Sequence, residues 1–205
     1  GYINKTNGVF NIDLSYFLNN KELISLEGII KEQNLDINLY SNSLNLSLMN
    51  NFTTGLDELK GKIKFNVNIH GKVRSPELFG YLKITDGQFK IDGIENVFSN
   101  INANFTFVKQ RMDLNNLAFE VGGSKINASG YLNFEDWKSV SYAFYLNSLG
   151  ERGIAFDISR DIVNAKGRAD LNLLLTRENG KNTLSGLITL YDTTVEITPI
   201  NLNIG

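Results

Sequence analysis

The sequence has no cysteine and, among its 205 residues, only two prolines, one histidine and one tryptophan. Without cysteine it has no disulfides, no zinc sites built on thiolates and no cysteine nucleophiles. Long hydrophobic runs are also missing, and the longest, around residues 173–175, is far too short to cross a bilayer. A net charge of −2 provides no long-range attraction to nucleic acid. These features exclude several classes of site and predict no nucleic-acid partner.

Hydrophobic residues nevertheless make up 42% of the chain, and most of them alternate with polar residues. From residue 62 to residue 70, for example, every second residue is Ile, Phe or Val, and the residues between are Lys, Asn or His. A period of two residues is typical of a β-strand with one face in a core and the other in water. A dozen or more stretches follow this pattern, so the sequence predicts an all-β protein.

A stretch of alternating strand, glycine and second alternating strand occurs twice, at a constant separation of 106 positions. Gly61 and Gly80 in the first copy match Gly167 and Gly186 in the second. The apolar residues of the first strand are matched by leucines in the second copy. Self-similarity at a fixed separation predicts a fold built from repeated units.

We therefore predict one continuous repeat structure of β-strands rather than separate domains. Its units are residues 61–166 and 167–205, the second of them incomplete, and residues 1–60 form the end of a preceding unit. The chain begins and ends within the alternating pattern. We interpret it as a fragment of a longer protein.

Turn-like positions interrupt the alternation. Asp86-Gly87 in the first copy matches Asp192-Thr193 in the second, and the sequence leaves open whether this position is a hairpin turn or a β-bulge. A recurring aspartate is also compatible with a calcium site, although an aspartate at a turn is the commoner explanation. At 115–116 the alternation changes parity, which predicts a bulge or a tight turn.

The period becomes helical only at residues 51–60, where Phe52, Leu56 and Leu59 are spaced as on one side of a helix. We predict one short helix there and strands elsewhere, including residues 44–48. A sheet with one apolar face and so little helix must cover itself. It can close as a barrel, pack as a sandwich or curl lengthwise into a trough. The long repeat favours an elongated, curled sheet that forms a hydrophobic groove.

Such a groove would be lined by the hydrophobic residues of the alternating strands. Large apolar surfaces that remain accessible normally mark binding sites for ligands or partners. The ordinary alternative is a dry core, in which the same side chains pack against one another. The predicted lipid-binding residues of the groove are Ile63, Phe65, Val67, Ile69, Leu82, Ile84, Phe89, Ile91, Phe105, Phe107, Leu132, Phe134, Phe144, Leu171, Leu173, Leu175, Ile188 and Leu190.

Glycine, proline and strand positions follow one another in a distinctive order along the first copy. The positions are Gly61, Gly71, Ser75-Pro76, Gly80, Asp86-Gly87, Gly122-Gly123 and Gly130. This order resembles the TamB group of AsmA-like proteins. The resemblance covers residues 56–134 well and 165–197 in a degraded form, whereas residues 1–50 match only in strand periodicity. The motif is moderately specific, because the alternation between these positions occurs in many β proteins.

The resemblance implies a periplasmic segment of an inner-membrane-anchored protein of Gram-negative bacteria, with a sheet bent into a groove called a β-taco. Members of that family are implicated in phospholipid transport to the outer membrane. They are also implicated, with an outer-membrane barrel of the Omp85 type, in assembling outer-membrane proteins. The expected partners are therefore phospholipid or another acyl lipid, and an Omp85-type barrel bound through parts of the protein outside this fragment.

Three functions compete at this point. The first is a lipid-transfer conduit, and the second is a scaffold that binds the strands of client proteins through open sheet edges. The third is a closed β-sandwich adhesin or structural repeat. An enzyme ranks last, because His70 has no nucleophile, acid or metal-ligand cluster at a useful spacing. We predict no catalytic residues, no cofactor and no metal site.

Overall fold

The computed structural model describes residues 1–50, 53–92, 94–134, 140–149, 153–160 and 163–197. It contains 13 strands, as the alternating pattern predicts, and no α-helix occurs within these ranges. The strands are β1 (Tyr2–Thr6), β2 (Val9–Leu18), β3 (Lys21–Lys31), β4 (Asn34–Asn45), β5 (Leu56–Lys72), β6 (Ser75–Ile91), β7 (Val97–Lys109), β8 (Arg111–Val121), β9 (Ser124–Phe134), β10 (Val140–Leu149), β11 (Ile154–Arg160), β12 (Val163–Glu178) and β13 (Lys181–Ile197).

All 13 strands form one antiparallel sheet. From β1 to β10 each strand pairs with the next one along the chain. β10 pairs with residues 172–177 of β12 and β11 pairs with residues 163–169, while β13 pairs with β12 along its whole length. Because a strand has only two edges, β10 and β11 follow one another along the same edge of β12. The sheet is not closed, since in the described part of the chain β1 pairs only with β2 and β13 only with β12.

β-Bulges interrupt several of these ladders. The register of β6 against β7 shifts between Ile84 and Gly87, and Asp86 has a φ of 51°. The register of β12 against β13 shifts at Gly167. Asp192 lies on β13 at this point and has a φ of 46°. The position left open by the sequence is therefore a bulge and not a hairpin turn. The parity change at 115–116 is confirmed as a bulge in β8.

The hairpins β5–β6 and β12–β13 have the same register at a separation of 106 positions. Val67 lies opposite Gly80 in the first hairpin, and Leu173 lies opposite Gly186 in the second. Both glycines have a positive φ, 132° for Gly80 and 128° for Gly186. A Cβ atom at either position would overlap a backbone carbonyl oxygen of the partner strand. Only glycine allows the two strands to approach so closely at this point.

The helix predicted at residues 51–60 is wrong. Residues 56–60 belong to β5, where Leu56 lies opposite Ile91 and Asp57 opposite Lys90, and Phe52 lies outside the described residues. A ten-residue helix is marginal on its own, so hydrogen bonding to β6 decides the conformation. The strand predicted at 44–48 is also wrong beyond Asn45. Leu46–Met49 form a 3-10 turn, in which the Asn45 side chain accepts a hydrogen bond of 3.0 Å from the Ser47 amide.

Candidate functional site

The registers place all of the predicted groove residues on one face of the sheet. Residues directly opposite each other in antiparallel strands point to the same side of the sheet. Where the alternation of a strand changes parity, the extra residue of a β-bulge returns the apolar side chains to that side. Ile37, for instance, lies opposite Ile69 in β5, which lies opposite Leu78 in β6. We call this side the apolar face. From the sequence-predicted set it carries Ile63, Phe65, Val67, Ile69, Leu82, Ile84, Phe89, Ile91, Phe105, Phe107, Leu132, Phe134, Phe144, Leu171, Leu173, Leu175, Ile188 and Leu190.

Exposure of the apolar face increases from the middle of the sheet towards β13. Phe65 and Val67 in β5 are 8% and 7% exposed. Most of the other predicted groove residues are half-buried. Ile188 and Leu190 in β13 are 51% and 56% exposed. The face is therefore packed in the middle of the sheet and open at the β13 edge.

The buried part of the face in β5 is covered by side chains from several strands. Phe65 and Val67 form a cluster with Leu23 of β3 and Leu44 of β4, and Phe107 of β7 packs against it. The hydroxyl of Ser41 donates a hydrogen bond of 2.5 Å to the Leu23 carbonyl beneath these side chains. The cluster joins strands that are up to four positions apart in the sheet.

The segment between β6 and β7 covers one end of the apolar face. Ile94 forms an isolated β-bridge with Ile158 of β11, and the Asn96 side chain donates a hydrogen bond of 3.0 Å to the Ala155 carbonyl. The hydroxyl of Ser124, at the start of β9, donates to the Gly153 carbonyl at 2.7 Å. β11 therefore meets the ends of β7 to β9 here.

A second apolar cluster fills the space beneath these contacts. Its buried members are Val121, Ile126 and Ile154, and Leu171 of β12 packs against them. Three aromatic rings from β6, β7 and β8 continue the contact, with centroids 4.8 Å apart for Phe89 and Phe98 and 5.9 Å for Phe98 and Phe119. This end of the apolar face is thus a packed core.

A polar group lies at the opposite end of the face. Arg177 follows Leu171, Leu173 and Leu175 in the alternation of β12, and it lies opposite Tyr142 of β10 and Asn182 of β13. The Tyr142 hydroxyl donates a hydrogen bond of 3.0 Å to the Asn182 side-chain oxygen, and Arg177 donates one of 3.4 Å to the same atom. Sequence reasoning missed this group, although continuing the alternation of β12 by one step would have located Arg177.

Nothing resembling a catalytic centre is found within the described residues. His70 is well exposed, and its Nδ1 lies 3.9 Å from an oxygen of Asp36 on the polar face. The described part of the chain has no group of three or more His, Cys, Asp or Glu side chains arranged to hold a metal. Within the same residues no helix is long and apolar enough to span a membrane.

Comparison with known proteins adds no relative. No family model, curated protein or solved structure matches this chain. The likeness to TamB therefore rests on the order of glycine, proline and strand positions in the sequence. The geometry itself supports a large open sheet with one continuous apolar face, packed at one end and open along β13.

Proposed function

We propose that this chain is part of a periplasmic lipid-transfer conduit of the TamB type, in which phospholipid acyl chains lie on the apolar face. The parent protein would be anchored in the inner membrane and would carry lipid between the inner and outer membranes of a Gram-negative bacterium. The observation that carries this proposal is the continuity of the apolar face from Ile12 in β2 to Leu190 in β13. Much of that surface keeps partial exposure, as a binding surface requires.

The proposal includes an elongated sheet that curls lengthwise and is built from units of about a hundred residues. The matching registers of the β5–β6 and β12–β13 hairpins support the repeat. The bridge between Ile94 and Ile158 supports the curl, since Ile94 follows β6, Ile158 belongs to β11, and β7, β8, β9, β10 and β12 lie between those two strands in the sheet. A curled sheet would shield acyl chains from water on more than one side.

Burial of hydrocarbon is sufficient to hold such a ligand. Each CH₂ group removed from water contributes about 0.8 kcal/mol, so an acyl chain of ~16 carbons gains on the order of 12 kcal/mol. The free energy of the bound acyl chain changes little with its position on the face, because the side chains that it contacts are Leu, Ile, Val or Phe throughout the strands. A chain can therefore slide along the face without a deep energy minimum.

Photo-crosslinking at two neighbouring residues of β13 tests the proposal. Ile188 lies on the apolar face and is 51% exposed, whereas Leu187 lies on the other face and is 64% exposed. A benzophenone side chain replaces each residue in turn, and the purified protein is illuminated with phospholipid vesicles. We expect lipid adducts by mass spectrometry at position 188 and few at position 187.

The matched exposure of the two positions makes the outcome decisive. Equal adduct yields at both positions would show that lipid binds any exposed hydrophobic residue, and the conduit would be rejected. A charge inside the face, Leu173→Arg, should abolish the adducts at position 188 while the protein remains folded. Unchanged adducts in that folded variant would also contradict the proposal.

A second candidate function, the scaffold that assists outer-membrane protein assembly, is favoured by the outer edge of β13. This strand is 17 residues long and pairs only with β12 in the described part of the chain. Such an edge can accept a strand of a client protein by β-augmentation. A proline at an outward-facing amide of β13 should abolish client binding and leave lipid adducts at position 188 unchanged. Client binding that survives the proline would reject the scaffold.

A further inference from the structure

Arg177 stands out because it is a cation on the apolar face. Its neighbours along the same side of β12 are leucines, and Leu175 precedes it by two residues. Its guanidinium forms no ion pair with a carboxylate in the part of the chain that the structure describes, and its one hydrogen bond is the 3.4 Å contact with Asn182. An arginine without an anion is an unusual neighbour for hydrocarbon side chains.

The Nε atom of Arg177 is the clearest example of a guanidinium donor that is not hydrogen-bonded within the described residues. It is buried, and among the residues that the structure describes it has no hydrogen-bond acceptor. A buried donor on a charged group costs free energy when it is left unsatisfied. The neighbouring Asn182 oxygen is shared with the Tyr142 hydroxyl and does not neutralise the charge. The group therefore offers unused donor capacity at the boundary between the apolar face and solvent.

Apolar side chains adjoin this group directly. The rings of Tyr142 and Phe144 have centroids 5.5 Å apart. Phe144 lies opposite Leu175, and Leu175 lies opposite Leu184, which is 62% exposed. A ligand that places an anion at Arg177 would bring an attached hydrocarbon chain onto these residues. This arrangement has the chemistry of an amphiphile with an anionic headgroup.

The charges of the hairpin turns favour an anion at the same end of the sheet. Five described turns lie there, those of β1–β2, β3–β4, β5–β6, β7–β8 and β12–β13. Their residues include six cations and only two acids, and these are Lys31, Lys72, Arg74, Lys109, Arg111, Lys181, Glu32 and Glu178. These described turns therefore carry an excess of positive charge, although the whole chain has a net charge of −2. Such a field attracts anions at short range.

The described connections at the opposite end lack this excess of cations. The β2–β3 turn contributes Lys21, and the segment between β6 and β7 contributes Asp92 and Glu95. The two ends of the strands therefore differ in charge, and Arg177 lies at the positive one.

We propose that Arg177, with Tyr142 and Asn182, binds the phosphate of a phospholipid with an anionic headgroup, and that the acyl chains lie on the adjoining apolar face. This inference rests on the proposed lipid-transfer function. The phosphate oxygens accept hydrogen bonds from the outer N–H groups of the guanidinium and from the side-chain NH₂ of Asn182, while the Tyr142 hydroxyl holds the oxygen of that amide. A guanidinium suits a phosphate because its planar N–H groups match two oxygens at once.

The test measures headgroup preference by the photo-crosslinking assay at position 188. The probe protein is illuminated with vesicles of phosphatidylcholine that contain equal small fractions of phosphatidylglycerol and a zwitterionic tracer lipid. We expect the anionic lipid to form about ten times more adduct, because a zwitterionic headgroup neutralises its phosphate with its own ammonium group, which Arg177 repels, whereas the anionic headgroup leaves the charge-assisted interaction to Arg177. Arg177→Gln should reduce that ratio to about one, and Arg177→Lys should retain much of it, because the charge is kept.

Arg111→Gln is the matched control. Arg111 lies at the same end of the sheet, but it faces the other side, where it pairs with Asp113 at 2.7 Å and lies over the Tyr131 ring. We expect this variant to keep the wild-type preference. Thermal unfolding of each variant establishes that it is folded before the adducts are compared.

The possible results separate this inference from the function on which it rests. Adducts of both lipids with no preference, or a preference that Arg177→Gln leaves intact, would overturn the headgroup site alone. No adduct of either lipid would overturn the lipid-transfer function and the headgroup site together. Inorganic phosphate should not suppress the adducts at equal concentration, and suppression would show that the site binds free phosphate rather than lipid.

Discussion

The hairpins β5–β6 and β12–β13 share a backbone arrangement but differ in their surroundings. Both have the same register, a glycine with positive φ in the second strand and a bulge at an aspartate. Val67 in the first hairpin is 7% exposed, whereas its counterpart Leu173 is half-buried. β6 has a strand on each side, whereas β13 pairs with β12 alone among the described strands. Local sequence thus specifies the hairpin, and its place in the sheet specifies how much of it is buried.

The composition of the two hairpins follows this difference. Phe65, Val67 and Ile69 of β5 are β-branched or aromatic, and the residues at their matching positions in β12 are all leucines. β-Branched and aromatic side chains favour strands that are packed by neighbours. Leucine is more adaptable, which suits a face that remains accessible. Variants at matching positions of the two hairpins separate local geometry from burial.

The largest effect on stability is expected when valine replaces Gly80 or Gly186, which occupy matching positions of the two hairpins. Gly80→Val should destabilise the protein by about 4 kcal/mol or more, because its Cβ would overlap the Asn66 carbonyl oxygen between two fixed neighbouring strands. Gly186→Val meets the Asn172 carbonyl oxygen in the same way. It should cost only about 1–3 kcal/mol, because no described strand pairs with the outer edge of β13, which can therefore move. Urea unfolding of both variants measures the difference.

Equal losses of stability in Gly80→Val and Gly186→Val would contradict the comparison, since they would mean that β13 is held as rigidly as β6. Gly123→Val is a suitable control. A Cβ atom at Gly123 meets no atom within 4 Å, although its φ of 77° leaves some strain.

A smaller difference is expected for a charge on the apolar face. Val67→Asp should cost more than about 3 kcal/mol, because the carboxylate would be buried without a partner. Leu173→Asp should cost about 1–2 kcal/mol, because that side chain reaches water. The free energies of unfolding of the two variants at neutral pH test this order. A reversed order would show that the β13 side of the face is the more tightly packed one.

The smallest effect concerns an ion pair that only one hairpin has. Lys90 lies 2.6 Å from Glu58, and its charge and hydrogen bond lower the pKa of the Glu58 carboxyl. The matching residues of the second hairpin, Asn164 and Glu196, are not of opposite charge. A lowered carboxyl pKa stabilises the folded state above the unfolded pKa, and this contribution is lost as the pH falls through the lowered value.

Lys90→Gln should therefore raise the Glu58 pKa towards its ordinary value, as an NMR titration of the carboxyl carbon would measure. Lys60→Gln is the control, because Lys60 lies 3.8 Å from Glu58 and contributes less to the shift. Asp57 shifts in the opposite direction, since its hydrogen bond and charge repulsion with Asp92 raise its pKa. A titration in which Lys60→Gln has the larger effect would contradict the assignment of the ion pair.

Much of the fold was predictable because each strand carries its own two-residue period. The alternation in β5 and β12 located both strands, and the parity change at 115–116 located a bulge. The same reasoning failed at residues 51–60, where a short helical spacing competed with pairing to β6. That pairing joins residues 28 to 35 positions apart, and a local window does not contain it.

The sequence predicted which residues of the candidate site share one face of the sheet, but not how exposed each of them is. Period two assigned Phe65 and Ile188 to the same side, and the registers agree. It did not distinguish the 8% exposure of Phe65 from the 51% exposure of Ile188. It also missed the polar group at Arg177, because the predicted face was defined by its hydrophobic members.

By itself the sequence determined most of the strands and which side chains of a strand share a face, since these depend on neighbours within a few residues. Only the tertiary structure decided that the sheet stays open, that β11 and the segment before β7 close one end, and that Arg177 lies among hydrocarbon side chains with no carboxylate partner in the described part of the chain. Burial and charge pairing depend on which distant strands come together, and the hydrophobic effect acts on that whole surface rather than on any one strand.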